Sequence, residues 1–462
     1  MSVKGLPIDF CSRMQTILGA TFPAFETALA DDPPVCIRKN PMKETDVFES
    51  SSPIPWEPSG CYLTERPSFT LDPAFHAGAY YVQEASSMLT AHALRQVVDF
   101  HARLKILDLC AAPGGKSTLL LAHMNQNSVL LSNEVIRARV NILKENIHKW
   151  GYPNALISNH EAEDFAALNG FFDVVLIDAP CSGEGLFRKD ENARREWSLE
   201  NVQLCSARQR KIVANAVELL REGGILLYST CTYNAQENMD NVRWIAEQFD
   251  CESLLINLPS NWGVVERKEN NQYGYQCYPH LLKGEGFFFS VLKKGVAKQN
   301  SNPSKYFSKQ SSSIQVSKSE LESLSSWVAN PESLSFYRKG NGIVIAVPKA
   351  IEQECIAIES ALRRVSFGVE IGEFKGKDLI PTHELALSIL LAKDFPSIEL
   401  EKNQALLFLK KELQNVDTEL RGWALAKYKG LPLGWMKILP NRINNYLPPH
   451  FRIRMDLDAA IQ

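Results

Sequence analysis

The chain has 462 residues, 45% hydrophobic and 22% charged, enough for two to four ordinary globular cores. Its formal net charge of −3 excludes a protein that is basic overall, so nucleic acid would have to be met by local patches. Ten scattered cysteines without a Cys-x-x-Cys pair or zinc-spaced Cys/His cluster, a start Met1–Pro7 without a signal-type apolar run, and no segment of membrane-span length lead us to expect a cytoplasmic protein with no disulfide framework, metal or membrane.

Residues 1–100 read as a small leading region, rich in Pro and aromatic residues around Pro53–Pro58, with a helix predicted from about Gln83 to Val98. From Leu104 onward short apolar runs alternate with helical patterns. Strands are predicted at Lys105–Leu109, Ser128–Glu134, Phe172–Asp178, Ile225–Ser229 and Phe287–Leu292. Helices are predicted at Lys116–Met124, Ala138–Trp150 and about Val202–Leu220. Continuous apolar strands separated by helices imply a parallel sheet covered on both faces, a doubly wound α/β domain over 101–295. Residues 296–320 read as a linker, since Ser301–Ser319 is dense in Ser, Lys and Gln and cannot bury much surface. A separate α+β module is expected over 321–462. Its stretch Arg421–Arg454 carries seven Lys or Arg and no Asp or Glu, with Trp423, Tyr428, Trp435, Tyr446 and Phe451 interleaved. Basic side chains contact phosphate and aromatic rings stack on unpaired bases; a small β-barrel core with a solvated basic rim describes the same stretch nearly as well.

Asp108 closes the first α/β strand and is followed by Cys110, Ala111, Ala112, Pro113, Gly114, Gly115 and Lys116, then by a helix. Small residues let backbone approach a ligand, and free N–H groups at a helix N-terminus point into the crevice of an open sheet. A phosphate loop is disfavoured, because its first glycine would fall at Cys110 and the Asp108 carboxylate would repel phosphates. S-adenosylmethionine fits better: it lacks phosphate, its cationic groups suit a nearby carboxylate, and Glu134 at the end of the second strand suits its ribose.

Two cysteines follow two other strands, in Asp178-Ala-Pro-Cys181-Ser-Gly-Glu-Gly185 and Tyr228-Ser-Thr-Cys231-Thr232. Ends of neighbouring strands line the same crevice, so the thiols can meet there. A thiolate adding to C6 of cytosine makes C5 nucleophilic enough to take a methyl group, and a base or second thiolate is then needed to release the product. Asp178 can bond the N3/N4 edge of the base, and Lys116 can hold the base or lower a thiol's pKa. Either cysteine alone would more often be packing.

Together the three motifs, with Tyr81-Val-Gln-Glu-Ala-Ser-Ser-Met88, resemble the Sun-type RNA cytosine-5 methyltransferases over about residues 66–293. The resemblance implies a Rossmann-like class I methyltransferase domain. It implies Cys231 as nucleophile, Cys181 assisting product release, Asp178 and Lys116 flanking the target base, and Asp108, the 110–116 loop and Glu134 holding S-adenosylmethionine. An acid after the third strand would read the adenine, Glu161 with Asp164 as its rival. Lys427–Trp435 and Asn441–Asn445 resemble the tail of the bacterial F-type branch, which implies a PUA-like RNA-binding module and 16S rRNA near the decoding site as substrate. A monomer with no DNA partner is expected. A tRNA substrate, a non-catalytic ribosome-assembly factor and a nucleotide triphosphatase stand as alternatives.

Overall fold

The computed structural model describes residues 5–44, 48, 51–296 and 314–456. The leading region holds the helices Ile8–Leu18 and Phe22–Ala30 and an antiparallel sheet in the order Ser52–Ile54, Glu57–Leu63, Val35–Lys39, Tyr80–Val82. The predicted helix Gln83–Val98 is shorter, Leu89–Arg95 after a turn at Ser86–Met88. The Glu84 carboxylate accepts bonds from the Ser86 and Ser87 backbone N–H groups and so caps the segment late.

The central domain is a nine-stranded sheet. Its parallel part runs in the order Ala155–Ser158, Val129–Asn133, Lys105–Asp108, Phe172–Asp178, Leu220–Thr230. The order reverses between Lys105–Asp108 and Phe172–Asp178, where an open sheet leaves its ligand crevice. Alternate strand residues face opposite layers. Ile106, Leu130, Val174, Leu176 and Leu227 pack with Leu119, Leu120, Leu143 and Ile147 of the helices Gly115–His123 and Arg137–Trp150. Leu107, Leu131, Val175, Ile177 and Leu226 pack with Val213, Val217, Val242 and Ile245 of the helices Leu199–Leu219 and Met239–Phe249. The doubly wound reading therefore holds, with one correction. The strand Phe287–Lys294 runs antiparallel to Leu220–Thr230, because it is reached by a hairpin from Gln272–Cys277 rather than by a helical crossover.

Of the predicted linker 296–320, residues 297–313 lie outside the described residues. Ile314–Gln315 already pairs with Leu334–Arg338, and a helix with a Ser317/Glu320 capping box opens at Lys318. The C-terminal part holds two sheets, over 314–381 and 397–445. It is not set apart from the rest. Ile345, Ile351, Ile358 and Phe367 join the core of the central domain. Leu406, Phe408, Leu433 and Met436 join Ile37, Leu71 and Tyr80 of the leading region. Trp435, expected among the aromatic rings for base stacking, is fully buried and donates its ring N–H to the Thr382 carbonyl at 2.7 Å, so it serves the core. Among the described residues, no helix is long and apolar enough to cross a membrane.

Candidate active site

The ends of the central strands Lys105–Asp108 and Phe172–Asp178 meet at one cleft. Its walls are Asp108, Cys110, Ala111, Ala112, Pro113, Gly115, Lys116 and Asp178, together with Tyr81, Gln83, Glu84 and Ser87 from the leading region. The loop turns through Gly114 at φ 109°, a conformation that favours glycine, and so opens the helix Gly115–His123. A Cβ on Gly115 would sit 3.5 Å from the Tyr81 ring, in ordinary van der Waals contact, so the two walls lie close together there.

Asp108 is fully buried. Its Oδ2 accepts from Ser117 Oγ at 2.6 Å, while Oδ1 has no partner among the described residues. Burial pushes its pKa up to about 7; the Ser117 bond opposes this and the Asp178 charge adds to it. A buried carboxylate oxygen without a donor at the wall of a cleft fits a ligand that brings its own positive charge or N–H group. That donor set suits the expected sulfonium cofactor and disfavours a phosphate.

Lys116 Nζ lies 2.8 Å from Asp178 Oδ2 and 5.0 Å from the centre of the Phe287 ring. Burial lowers the pKa of Lys116, but the Asp178 charge and hydrogen bond outweigh it, so the net shift is upward and the ammonium is retained. Asp178 Oδ1 accepts from Ser229 Oγ at 2.9 Å. Cys110 lines the cleft, and burial raises its pKa.

The sheet brings Cys181 and Cys231 together across 50 positions, with their sulfurs 3.1 Å apart. The Cys231 backbone N–H points at Cys181 Sγ at 3.3 Å. The hydrogen bond with Cys231, then burial, raise the pKa of Cys181. The Cys231 carbonyl accepts from the Gly185 N–H at 2.8 Å, and a Cβ at Gly185 would lie 2.9 Å from that carbonyl oxygen and 2.3 Å from the Gly286 oxygen. Only glycine lets the two cysteine loops approach this closely.

Glu134 is buried. Its Oε1 accepts the Ile136 N–H at 2.9 Å and its Oε2 lies 3.4 Å from Arg139, which also donates to the Ala112 carbonyl. Glu134, Gly114 and Glu161 are not among the residues lining the cleft, nor are Cys181 and Cys231, whose nearest link to it is Lys116 and Asp178. Glu161 is exposed and forms a reciprocal capping box with Asp164 at the turn Ala162–Leu168, so both rivals for the adenine are engaged with backbone at one place.

Sequence reasoning missed the layer beneath the cysteines. Glu184 accepts from Thr232 Oγ1 at 2.6 Å, the Tyr233 N–H at 2.8 Å and the Trp197 ring N–H at 3.1 Å. Glu237 accepts from Ser182, Gln209 and Asn234. Both carboxylates are buried. The available signal was position: Glu184 lies inside the first cysteine motif and Glu237 six residues after Cys231. Gln83 and Glu84, in the segment quoted for the family, were likewise not assigned to the cleft.

Comparison with known proteins adds three matches along the chain. Residues 96–293 match the family 16S rRNA methyltransferase RsmB/F. Residues 6–85 match the N-terminal domain of 16S rRNA methyltransferase RsmF, and 395–453 its PUA domain. Among curated relatives, ribosomal RNA small subunit methyltransferase F of Aliivibrio fischeri is 31% identical over 86% of this chain and 84% of its own. The protein of that name from Vibrio campbellii is 30% identical over 96% and 97%. The one from Pectobacterium atrosepticum is 35% identical, with the match spanning 63% of either chain. Of solved structures, a methyltransferase homologue from Pyrococcus horikoshii superposes with a TM-score of 0.54 at 27% identity, over 63% of this chain and 96% of that one. NSun6 from the same organism gives 0.53 at 19% over 63% and 99%, a likeness of fold.

Proposed function

Because the chain belongs to the family of ribosomal RNA small subunit methyltransferase F, we propose that it transfers a methyl group from S-adenosylmethionine to C5 of a cytosine in 16S rRNA. The observation that carries this reading is the pair of sulfurs 3.1 Å apart at two strand ends, next to the Lys116–Asp178 ion pair. Cys231, as thiolate, adds to C6; the S–C6 bond forms and the C5–C6 π electrons become available at C5. S-adenosylmethionine, when bound, supplies the electrophilic methyl group. Cys181, once it has lost its own proton and as thiolate, then takes the C5 proton, the C5–C6 double bond re-forms, and the S–C6 bond breaks to return the Cys231 thiolate. Asp178 reads the N3/N4 edge of the base, and Lys116 offsets charge that builds on the ring. Asp108, the 110–116 backbone and Glu134 hold the cofactor, and Glu161 or Asp164 reads its adenine. A target base in structured RNA must be unstacked to reach this cleft. The PUA part, through the basic residues of 421–454, binds the RNA.

The test is transfer of tritiated methyl from S-adenosylmethionine to 16S rRNA, as transcript and as small subunit, with the position read by bisulfite sequencing. Label on a protected cytosine in 16S rRNA supports the reading. Label on tRNA alone replaces the substrate. Bound cofactor with no transfer to any RNA leaves a non-catalytic RNA-binding protein.

A further inference from the structure

Arg38 is a fully buried cation that, among the described residues, has no carboxylate in ion-pair contact. Its guanidinium lies 4.4 Å from the centre of the Trp150 ring. Nε donates to Gln83 Oε1 at 2.9 Å, and Nη2 donates to Thr118 Oγ1 at 2.6 Å and to the Gly115 carbonyl at 3.4 Å. A cation buried without an anion is costly, so these bonds call for a task. They do two things. Arginine only donates, so the Gln83 oxygen must face Arg38 and the amide NH2 is turned the other way. The same guanidinium also ties Gln83 to the first turn of the helix Gly115–His123.

Gln83 is 6% exposed and lines the cleft. One Nε2 hydrogen goes to Ser87 Oγ at 3.2 Å, whose own hydrogen goes to the Glu84 carbonyl. Among the described residues no protein group accepts the other. A Cβ on Gly115 would lie 3.8 Å from Nε2, so the amide stands beside the free N–H groups of the first helical turn. The acids of this wall are engaged elsewhere. Glu84 accepts the backbone N–H groups of Ser86, Ser87 and Glu285, and Asp178 pairs with Lys116. This corner therefore offers donors to an anion. On the same cleft, the fully buried Asp108 Oδ1 lacks a donor and suits a cation. A ligand end carrying an ammonium and a carboxylate on one carbon satisfies both.

We propose that Gln83 binds the carboxylate at the methionine end of S-adenosylmethionine, and that Arg38 is the positioning residue that turns the Gln83 amide toward it. This rests on the reading of the cleft as the cofactor site and deepens it: Asp108 takes the ammonium and Gln83 the carboxylate, so the site selects the complete amino-acid end of the cofactor.

The experiment is calorimetric titration of the full-length protein with S-adenosylmethionine and with decarboxylated S-adenosylmethionine, which keeps the sulfonium and the ammonium. The unmodified protein should bind the complete cofactor about tenfold or more tighter, as a charge-assisted hydrogen bond allows. In Gln83→Leu that preference should fall to about threefold or less, with affinity for the decarboxylated compound unchanged. Gln83→Glu keeps an acceptor for Arg38 but turns a carboxylate toward the ligand, so it should abolish or reverse the preference. Arg38→Met frees the amide to turn and should lower the preference without weakening the decarboxylated compound; equal weakening of both compounds overturns its positioning role. A folded Gln83→Leu or Gln83→Glu protein with the full preference overturns the proposal. So does equal binding of the two compounds by the unmodified protein, which needs no variant. Loss of 16S rRNA affinity in Gln83→Leu with the preference intact would assign the amide to an RNA phosphate and overturn it likewise. Titration needs neither RNA nor turnover. Cofactor binding without methyl transfer would sink the proposed reaction and leave this measurement standing, whereas binding of neither compound would sink the cofactor reading and this proposal with it.

Discussion

Replacing Asp108 by Asn should stabilise the ligand-free protein and weaken its hold on a cationic cofactor. The folded pKa of Asp108 lies at about 7, above its ordinary 3.8, because the group is buried. The native state therefore holds a proton that the unfolded chain has released. The cost of ionising Asp108 is absent below its ordinary value, grows as the pH rises from about 4, and is complete above about 7. One pKa unit is worth about 1.36 kcal/mol, so this cost reaches about 4 kcal/mol as an upper bound near pH 8. Asn cannot ionise, its amide oxygen can keep the Ser117 bond, and its NH2 takes the place of the oxygen that has no partner. Thermal unfolding at about pH 8 should thus show Asp108→Asn melting several degrees above the unmodified protein, with the gap closing near pH 4. Calorimetric titration with S-adenosylmethionine should show the opposite, a loss of affinity of tenfold or more, about 1.4 kcal/mol. Equal melting temperatures at the higher pH, or undiminished cofactor affinity, would refute the reasoning that this oxygen waits for a cation.

Cys231→Ser should abolish methyl transfer, whereas Cys181→Ala should still add to the base and accumulate a covalent protein–RNA adduct, visible as a gel shift; normal turnover without adduct would remove Cys181 from product release. Gly185→Ala should cut turnover about a hundredfold with cofactor binding retained, since a misplacement of about 1 Å in the cysteine loops has that cost and the blocking atoms are backbone. Trp435→Ala should cost about 3–5 kcal/mol in denaturant unfolding; a variant that unfolds normally but binds RNA less well would restore the ring to the RNA surface.

The strands were legible because each alternates or runs continuously apolar over a few residues, and Phe172–Asp178 is found with the predicted bounds. The motifs at their C-terminal ends, Asp108 to Lys116, Asp178 to Gly185 and Ser229 to Thr232, were legible for the same reason: they interrupt a local pattern with turn-forming residues that an open sheet exposes to its crevice. Those segments, by themselves, determined the fold class and nominated the thiols. Only the tertiary structure decided which groups surround them. It set the sulfur–sulfur approach, left one Asp108 oxygen without a donor, turned Trp435 into a core residue, and packed the C-terminal part against the central and leading regions. It also placed Glu237 beneath Ser182, 55 positions away. Hydrophobic periodicity is a property of neighbouring residues, whereas a buried carboxylate is stable only if donors from distant segments converge on it, and that convergence exists only once the sheet has formed.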